Sequence, residues 1–367
     1  MRVALSVDAL EPRLTGIGNY TLELARGLAS HPDISELSFF RGKIPIADPD
    51  KLLVPRFSWH RSRPGRWWHS KRNAGILDRM RSAIVHAPNF FLPSWAEHGV
   101  ATIHDLSVFR FPETHPEFRR RHFEERFEDT ITRAGRVITG TSAMRAQLVA
   151  ALGLDADRID VVPHGVHAPV RPSGDEVVRR LRSVGLEQGA YCLCVSTIEP
   201  RKRIRQLLDA YEKLPRSRRL ALPLVLVGKA GWLAEDLVSR LNQAQAEGWA
   251  KWLGFASAPM LDALYFGARL FIYPSLYEGF GLPPVEAMAH GVPVLISDDE
   301  SLVEVSGSAA MIVSADDPKS FAASITRGID DVAWREAATL NGSALAARLS
   351  WQRTVDGTVD AYRRLSL

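Results

Sequence analysis

Short runs of β-branched and other apolar residues alternate with amphipathic segments from one end of the chain to the other. The run Val3–Val7 predicts a strand, and the helical spacing of Tyr20, Leu24 and Leu28 predicts a helix over Gly18–Leu28. Further elements predicted in the first half are strands at Ala83–His86, Val100–Ile103, Val137–Thr139 and Ile159–Val162, and helices at Arg119–Arg133 and Ser142–Leu152.

The alternation breaks at Ala168–Gly174, where Pro169 and Pro172 predict a linker, and then restarts. The second half predicts strands at Tyr191–Val195, Leu222–Val227, Ala250–Leu253, Leu270–Ile272 and Val292–Ile296, and helices at Ile204–Lys213, Leu233–Gln245, Met260–Phe266 and Pro284–His290. Strands that alternate with helices form parallel sheets covered on both faces. For this chain of 367 residues we therefore predict an α/β protein with two Rossmann-like domains that face each other.

The composition is that of an ordinary globular protein, with 46% hydrophobic and 24% charged residues. No run of 18 apolar residues occurs, so we expect no membrane-spanning helix, and Asp8 in the first apolar run argues against a secretory signal. Cys192 and Cys194 stand two apart in a predicted strand. We expect them to be buried free thiols of a reducing compartment rather than a disulfide or part of a zinc site.

The net charge of +4 is concentrated in one segment. Arg56–Arg81 holds eight Arg and Lys residues against one acid, with Trp59, Trp67 and Trp68 among them. Tryptophan and arginine together suit an anionic membrane surface, whereas a solvated loop with buried tryptophans is the alternative. No nucleic-acid recognition motif accompanies the charge, so we expect no nucleic-acid partner.

Two glycine motifs stand where parallel sheets bind ligands, after strands and at helix N-termini. In Thr15-Gly-Ile-Gly-Asn19, Gly16 and Gly18 allow an anion to approach backbone amides, although a plain tight turn explains them equally well. In Glu278-Gly-Phe-Gly-Leu-Pro-Pro-Val-Glu286, amides at a helix N-terminus suit phosphate or sugar oxygens. Its two carboxylates suit the paired hydroxyls of a ribose or hexose.

Cations and a histidine occupy two other strand ends. Arg201, Lys202 and Arg203 follow the strand Tyr191–Val195 and are well placed for a diphosphate, unless they form a solvated turn. His104 ends the strand Val100–Ile103, beside Asp105, and we expect a polar role for it.

The sequence lacks the motifs of several other classes of site and enzyme. Asp155-Ala-Asp157 lies on the amino side of a strand and Asp298-Asp299 resembles a surface turn, so we predict no metal site. The chain has neither a Gly-x-Ser-x-Gly elbow nor a Walker A lysine loop, which excludes the corresponding hydrolases and nucleotidases. Gly16 and Gly18 lack the third glycine of a dinucleotide fingerprint, which disfavours an NAD-dependent oxidoreductase.

Together these motifs resemble the retaining glycosyltransferases of family 4, which have the GT-B fold. The most specific element is Glu278 with Glu286, the Glu-x7-Glu signature of the family. Other matches are Val162-Pro-His-Gly-Val166, Leu226-Val-Gly-Lys229, Leu253-Gly-Phe255 and the pair His104-Asp-Leu-Ser with Phe111-Pro-Glu-Thr-His115. The last pair is similar to the subgroup that builds bacterial O-antigen and capsule, which includes mannosyl- and rhamnosyltransferases. The resemblance implies an acceptor-binding domain at 1–168, a nucleotide-sugar domain at 169–350, and a helix at 351–367 that packs on the first domain.

The resemblance also implies roles for individual residues. Glu286 would hold the ribose hydroxyls of the donor, Glu278 the hexose hydroxyls, and Lys202 the diphosphate. The family arginine five residues before that lysine is Thr197 here, so Arg201 is our hypothetical substitute for it. The remaining contacts implied are the amides of Phe280, Gly281 and Leu282 on sugar and phosphate, Gly16 and Gly18 on the diphosphate, His104 beside the sugar, and Gly228, Gly254 and Phe255 at the base.

The predicted activity is the transfer of a hexose, with retention and without a metal or other cofactor, from a nucleotide sugar to a lipid-linked glycan of a bacterial surface polysaccharide. GDP-mannose or a GDP-deoxyhexose such as GDP-rhamnose is the favoured donor, with UDP-sugars as the alternative. We expect a cytoplasmic enzyme that is peripheral at the inner membrane. A nucleotide-sugar-binding protein without catalysis and a sugar-nucleotide epimerase remain open at this point.

Overall fold

The computed structural model describes residues 1–54 and 75–365, which form two compact α/β units. Unit 1 comprises Met1–Leu106, Arg121–Gly165 and Trp351–Leu367, and unit 2 comprises Ser107–Arg120 and Val166–Ser350. Most of the basic, tryptophan-rich segment Arg56–Arg81 lies outside the described residues. The membrane contact predicted for that segment therefore stays a prediction.

The strands are, in chain order, β1 Arg2–Ser6, β2 Glu36–Arg41, β3 Ile44–Ile46, β4 Ile84–Ala87, β5 Gly99–Thr102, β6 Ala134–Thr139, β7 Ile159–Val161, β8 Cys192–Val195, β9 Leu224–Val227, β10 Ala250–Trp252, β11 Leu270–Tyr273, β12 Val294–Ile296 and β13 Ala310–Ile312. The helices that we number are α1 Gly16–Ser30, α2 Ser107–Arg110, α3 Glu117–Arg133, α4 Ser142–Leu152, α5 Gly174–Ser183, α6 Ile204–Glu212, α7 Arg216–Ala221, α8 Glu235–Ala246, α9 Ala258–Gly267, α10 Leu282–Ala289, α11 Glu300–Ser306, α12 Pro318–Asp330, α13 Val332–Ala346 and α14 Trp351–Leu365.

Unit 1 contains a seven-stranded sheet in the order β3-β2-β1-β4-β5-β6-β7. All neighbouring strands are parallel except β3, which runs antiparallel to β2 with Ile46 opposite Phe39. The expectation of a purely parallel sheet is therefore wrong at this edge, and the sequence prediction lacks both β2 and β3. Only Phe40 of β2 is fully buried and no residue of β3 is, so these two strands carry little of the apolar pattern on which the prediction rests.

The last helix of the chain belongs to the core of unit 1. Trp351, Val355 and Val359 of α14 pack in one cluster with Tyr20 and Leu24 of α1. The two helices approach closely at Gly27, where an added Cβ would lie 2.3 Å from Val355 Cγ2. Glycine is therefore required at position 27 for the packing of α14.

Unit 2 contains a six-stranded, fully parallel sheet in the order β10-β9-β8-β11-β12-β13. Both faces are covered, since Cys192 and Cys194 of β8 join one apolar cluster and Leu193 joins the other. Burial raises the pKa of Cys192 to about 11 and that of Cys194 to about 12, so both thiols are protonated and unreactive. The prediction of buried free thiols is confirmed.

Several elements of unit 2 are absent from the sequence prediction. They are β13 and the helices α2, α5, α7, α11, α12 and α13. The strand β13 has only three residues, and α7 has six, half of which are arginine, so neither shows a clear hydrophobic period. The segment Ser107–Arg120, between two strands of the first sheet, is part of unit 2. No local pattern indicates that assignment.

Candidate active site

The site of unit 2 forms where two adjacent strands end. β8 and β11 are parallel neighbours, so the chain leaves both at the same edge of the sheet. After β8 comes a short 3-10 helix, Pro200–Lys202, and after β11 comes a loop that leads into α10. The Leu276 N–H donates to the Arg201 carbonyl at 2.8 Å, which ties the two connections together.

Lys202 and Glu278 form the centre of this site. Lys202 Nζ donates to Glu278 Oε1 and, at 3.1 Å, to Tyr273 Oη. The Tyr273 hydroxyl in turn donates to Glu278 Oε1 at 2.9 Å. All three side chains are buried, and one carboxylate oxygen therefore receives both a cation and a phenol.

Arg201 holds the other oxygen of Glu278. Its Nη1 donates to Glu278 Oε2 at 3.3 Å and to the Tyr277 carbonyl at 2.6 Å, and its Nη2 donates to Glu199 Oε1 at 3.0 Å. Glu199 is only 3% exposed. The cluster thus balances two cations with two carboxylates, which is what burial of four charges requires.

Sequence reasoning missed Glu199 and Tyr273 as members of the site. Glu199 opens the basic motif, and Tyr273 is the final residue of β11, so both were within reach of the rule that strand ends carry the site. Their partners lie on another loop, and only the pairing of β8 with β11 brings them together.

The charge state of Glu278 follows from its neighbours. Burial alone would raise the pKa of this carboxyl, but the charges of Lys202 and Arg201 and the hydrogen bonds from Lys202 and Ser275 outweigh it, so the pKa is lowered. Glu278 is therefore an ionised, fixed acceptor, suited to the hydrogen of a bound hydroxyl.

The glycine loop between Glu278 and α10 is held in a conformation that needs glycine. Gly281 precedes the first residue of α10 with φ +90°, and an added Cβ would lie 2.2 Å from Leu302 Cδ2. The helix begins at Leu282, earlier than the predicted Pro284. Its N-terminus is thus placed directly after the loop, and the helix dipole favours an anion there.

Glu286 lies four residues into α10 and is partly buried. The Tyr265 hydroxyl donates to Glu286 Oε2 at 2.9 Å. Burial raises the pKa of this carboxyl, while the hydrogen bond from Tyr265 opposes the rise. Burial and the neighbouring Glu286 raise the pKa of Tyr265, so this hydroxyl stays protonated and donates to the carboxylate.

The residues predicted at the nucleotide base, Gly228, Gly254 and Phe255, and Thr197, which stands where the family has an arginine, show mixed geometry. Gly228 has φ +143°, donates its N–H to the Gly254 carbonyl at 2.7 Å, and has no room for a Cβ, which would lie 1.9 Å from Ser196 O. Phe255 is 55% exposed. Thr197 packs against Gly231, because a Cβ there would lie 2.8 Å from Thr197 Cγ2. Gly228 and Gly254 therefore meet, and Thr197 supports the loop after β9.

His104, Gly16 and Gly18 belong to unit 1. His104 Nε2 donates to the Pro88 carbonyl at 2.8 Å, and its ring lies 5.1 Å from Tyr20 and 5.4 Å from His164, measured between centroids. Burial lowers the pKa of His104, while the Pro88 carbonyl and Asp105 oppose the shift. The neutral ring therefore presents Nδ1 as an acceptor.

Gly16 and Gly18 of unit 1 differ in whether their positions have room for a side chain. Gly18 is buried in the first turn of α1, where a Cβ would lie 2.9 Å from Ala9 O. A Cβ at Gly16 would meet nothing within 4 Å. Close packing thus explains Gly18, whereas Gly16 leaves open space in front of the helix N-terminus.

Residues 1–54 and 75–365 contain no cluster of three His, Cys, Asp or Glu side chains suited to a metal ion. In the same ranges, no helix is both long and apolar enough to cross a membrane. The acidic pairs have other functions, since Asp155 accepts from the Asp157 N–H at 2.9 Å and Asp299 from the Leu302 N–H at 3.0 Å, each as the N-cap of a helix.

Comparison with protein families gives two matches in succession along the chain. The model of Glycosyltransferase Family 4 matches residues 14–168, and that of Glycosyl transferases group 1 matches residues 181–343. Together they cover most of both α/β units.

Individual proteins extend this result. O-antigen chain mannosyltransferase B of Escherichia coli is 36% identical over 381 residues, covering 100% of both chains. O-antigen chain mannosyltransferase RfbU of Salmonella typhimurium is 26% identical over 61% of this chain and 59% of that protein. Among solved structures, Anabaena HepE in complex with UDP and glucose matches 99% of this chain and 100% of its own, with a TM-score of 0.73 at 18% identity. At this sequence identity the similarity shows a shared fold and nothing more.

Proposed function

The chain belongs to glycosyltransferase family 4, and from that premise we propose that it transfers mannose from GDP-mannose, with retention, to a lipid-linked glycan of an O-antigen. The observation that carries the proposal is the buried cluster of Glu199, Arg201, Lys202 and Glu278 in front of the glycine loop. It joins cations for a diphosphate to a fixed carboxylate for a sugar hydroxyl at one strand edge.

The chemistry of transfer follows from charge. When the anomeric C–O bond breaks, negative charge grows on the departing nucleoside diphosphate and positive charge on the sugar ring. Lys202 and Arg201, together with the N-terminus of α10, would stabilise the leaving diphosphate. Glu278 would hold the hexose hydroxyls and Glu286 the ribose hydroxyls. The acceptor hydroxyl would attack from the face of the leaving group, with the departing phosphate taking its proton.

This mechanism requires neither a nucleophilic side chain nor a metal ion. In the present structure both cations are paired with Glu278, so a bound diphosphate would draw Lys202 partly away from that carboxylate. The predicted contacts of His104, Gly16 and Gly18 on the sugar and the diphosphate remain predictions.

GDP-mannose is favoured because two O-antigen mannosyltransferases are among the relatives, one of them at full length. UDP-sugars are the second candidate, because the similar fold of Anabaena HepE holds UDP and glucose. A GDP-deoxyhexose is the third.

A thermal-shift screen with GDP, UDP and ADP and their sugar nucleotides tests the donor. We expect GDP and GDP-mannose to raise the melting temperature most, and GDP-mannose to be consumed when a lipid-linked acceptor is supplied. Stabilisation by UDP compounds alone would overturn the choice of base. A chain that none of these compounds stabilises would overturn the proposal as a whole.

The membrane interaction has a separate test. We propose that Arg56–Arg81 binds anionic lipid near the acceptor. In co-sedimentation, vesicles containing phosphatidylglycerol should retain the protein and neutral vesicles should not. Replacing Arg61, Arg63 and Arg66 with Gln should reduce retention. Equal retention of this variant, or none of the wild type, would contradict the interaction without touching the donor site.

A further inference from the structure

Asp299 joins the glycine loop to a neighbouring helix. It follows β12 and is the N-cap of α11, where its Oδ1 accepts from the Leu302 N–H at 3.0 Å. The backbone N–H groups of Glu278 and Ser301 also act on this carboxylate, and their hydrogen bonding works to lower the pKa of Asp299. One side chain thus serves both the first turn of α11 and the backbone of the donor-site carboxylate.

Helix α11 also contacts the far end of the glycine loop, at Gly281. Gly281 lies so close to α11 that an added Cβ would come within 2.2 Å of Leu302 Cδ2. Leu302 is fully buried, and its N–H is the one that Asp299 caps. The first turn of α11 therefore holds the loop at Glu278 through a hydrogen bond and at Gly281 through packing.

The electrostatics of Asp299 agree with this placement. Burial and, to a smaller extent, the negative charge of Glu278 together raise the pKa of Asp299 to about 6, against the opposing effect of hydrogen bonds from backbone N–H groups. The two carboxylates therefore sense each other, although the side chain of Glu278 is directed to Lys202 and Arg201.

We infer that Asp299 is a positioning residue, which fixes the backbone of Glu278 so that its carboxylate meets the donor sugar in one orientation. The inference deepens the proposed function and rests on the proposed contact between Glu278 and the hexose. Asp299 itself touches neither the sugar nor the diphosphate in this scheme. Its loss should therefore affect the part of donor affinity that the sugar contributes.

The experiment measures dissociation constants by calorimetry on the full chain, for the nucleoside diphosphate and its sugar nucleotide. GDP and GDP-mannose are the expected pair, and UDP and UDP-glucose replace them if the screen selects uridine. Asp299→Ala removes all the hydrogen bonds of the carboxylate. Asp299→Ser keeps a good helix cap but has one short acceptor only, so it covers the case in which the alanine variant fails to fold. Asp331→Ala is the matched control, because Asp331 caps α13 through the Trp334 N–H at 2.9 Å, also three residues on.

For both Asp299 variants we expect about tenfold weaker binding of GDP-mannose, with GDP affinity within about twofold of wild type. Asp331→Ala should leave both affinities within about twofold. In a Glu278→Gln background, adding Asp299→Ser should cost less than about twofold, because the residue acts through Glu278.

Two results would overturn the inference. One is affinities for both GDP-mannose and GDP that stay near wild type in Asp299→Ser, and the other is an equal loss for both compounds, which marks a purely structural role. If Glu278→Gln alone leaves that preference unchanged, the proposed sugar contact of Glu278 fails, and the inference fails with it. A sugar-dependent loss in Glu278→Gln without one in Asp299→Ser refutes the inference alone.

Discussion

Among single residues, the contacts of Lys202 give the most specific prediction about catalysis. Its ammonium is buried, yet its partners are the carboxylate of Glu278 and the hydroxyl of Tyr273, both at the mouth of the glycine loop. Arg201, by contrast, is bound by two carboxylates and the Tyr277 carbonyl. Lys202 is therefore the cation that can turn to a diphosphate at the lower cost.

Replacing Lys202 with Ala should lower kcat by about ten- to a thousandfold, because the charge that develops on the leaving diphosphate loses a fixed cation. Steady-state kinetics with the sugar nucleotide measure this effect. Lys213→Ala is the control, since Lys213 is exposed at the end of α6. Turnover near the wild-type value in Lys202→Ala would contradict the proposed diphosphate contact.

At the scale of elements, two short connections shape the site, and each contains a glycine that no other residue can replace without strain. The connection after β9 turns at Gly228, which has φ +143° and lies against the Ser196 carbonyl. The connection after β11 turns at Gly281, against α11. Both turns follow strands of one sheet, so the backbone as well as the side chains shapes the candidate site.

Gly228→Ala should destabilise unit 2 by about 2–4 kcal/mol, since a Cβ must displace backbone at an unfavourable φ. Urea unfolding followed by circular dichroism measures the loss. Gly174→Ala is the matched control, because Gly174 opens α5 with nothing within 4 Å of an added Cβ. Equal stability of Gly228→Ala and wild type would show that the turn relaxes.

At the scale of the whole molecule, unit 1 should make stability depend on pH. Burial and, to a smaller extent, the neighbouring His104 together lower the pKa of His86 to about 3. His86 bonds to Tyr362 Oη at 2.7 Å and to Thr102 Oγ1 at 2.9 Å. The unfolded chain binds a proton at this histidine near pH 6.5 and the folded chain does not. The free energy of unfolding therefore falls as the pH falls from about 6.5 towards 3.

For His86 alone this slope approaches about 1.4 kcal/mol per pH unit once the pH is well below 6.5. Asp299 works in the opposite direction between about pH 4 and 6, because burial raises its pKa to about 6. Comparing wild type with His86→Gln separates the two effects. Denaturant titrations from pH 7 to 5 should show a shallower loss in the variant, and parallel curves would contradict the assignment.

Metal independence is the other property of the whole enzyme that we predict. Turnover in an excess of EDTA should stay close to the rate without chelator, because fixed cations and a helix N-terminus stabilise the leaving group. The same assay with added Mg²⁺ or Mn²⁺ is the control. A rate that vanishes on chelation and returns with the metal would contradict this mechanism.

The alternation of apolar runs predicted most of the parallel strands and the helices between them, because buried strands and amphipathic helices carry their period in local sequence. Ser142–Leu152 is found with the predicted bounds. The pattern failed where burial is partial, as in β2, or where the element is three residues long, as in β13. The antiparallel β3 has no signal of direction in its sequence.

The site divides in the same way. The sequence alone determined which residue types stand at the strand ends, among them Glu278, Arg201 and Lys202, because each motif is continuous along the chain. Only the tertiary structure decided their partners. Arg201 and Glu278 are 77 residues apart, and they meet because β8 lies beside β11 in the sheet. The N–H of Glu278 reaches Asp299 for a similar reason, since β11 also pairs with β12. Strand order depends on the packing of the whole sheet, and no local period records it.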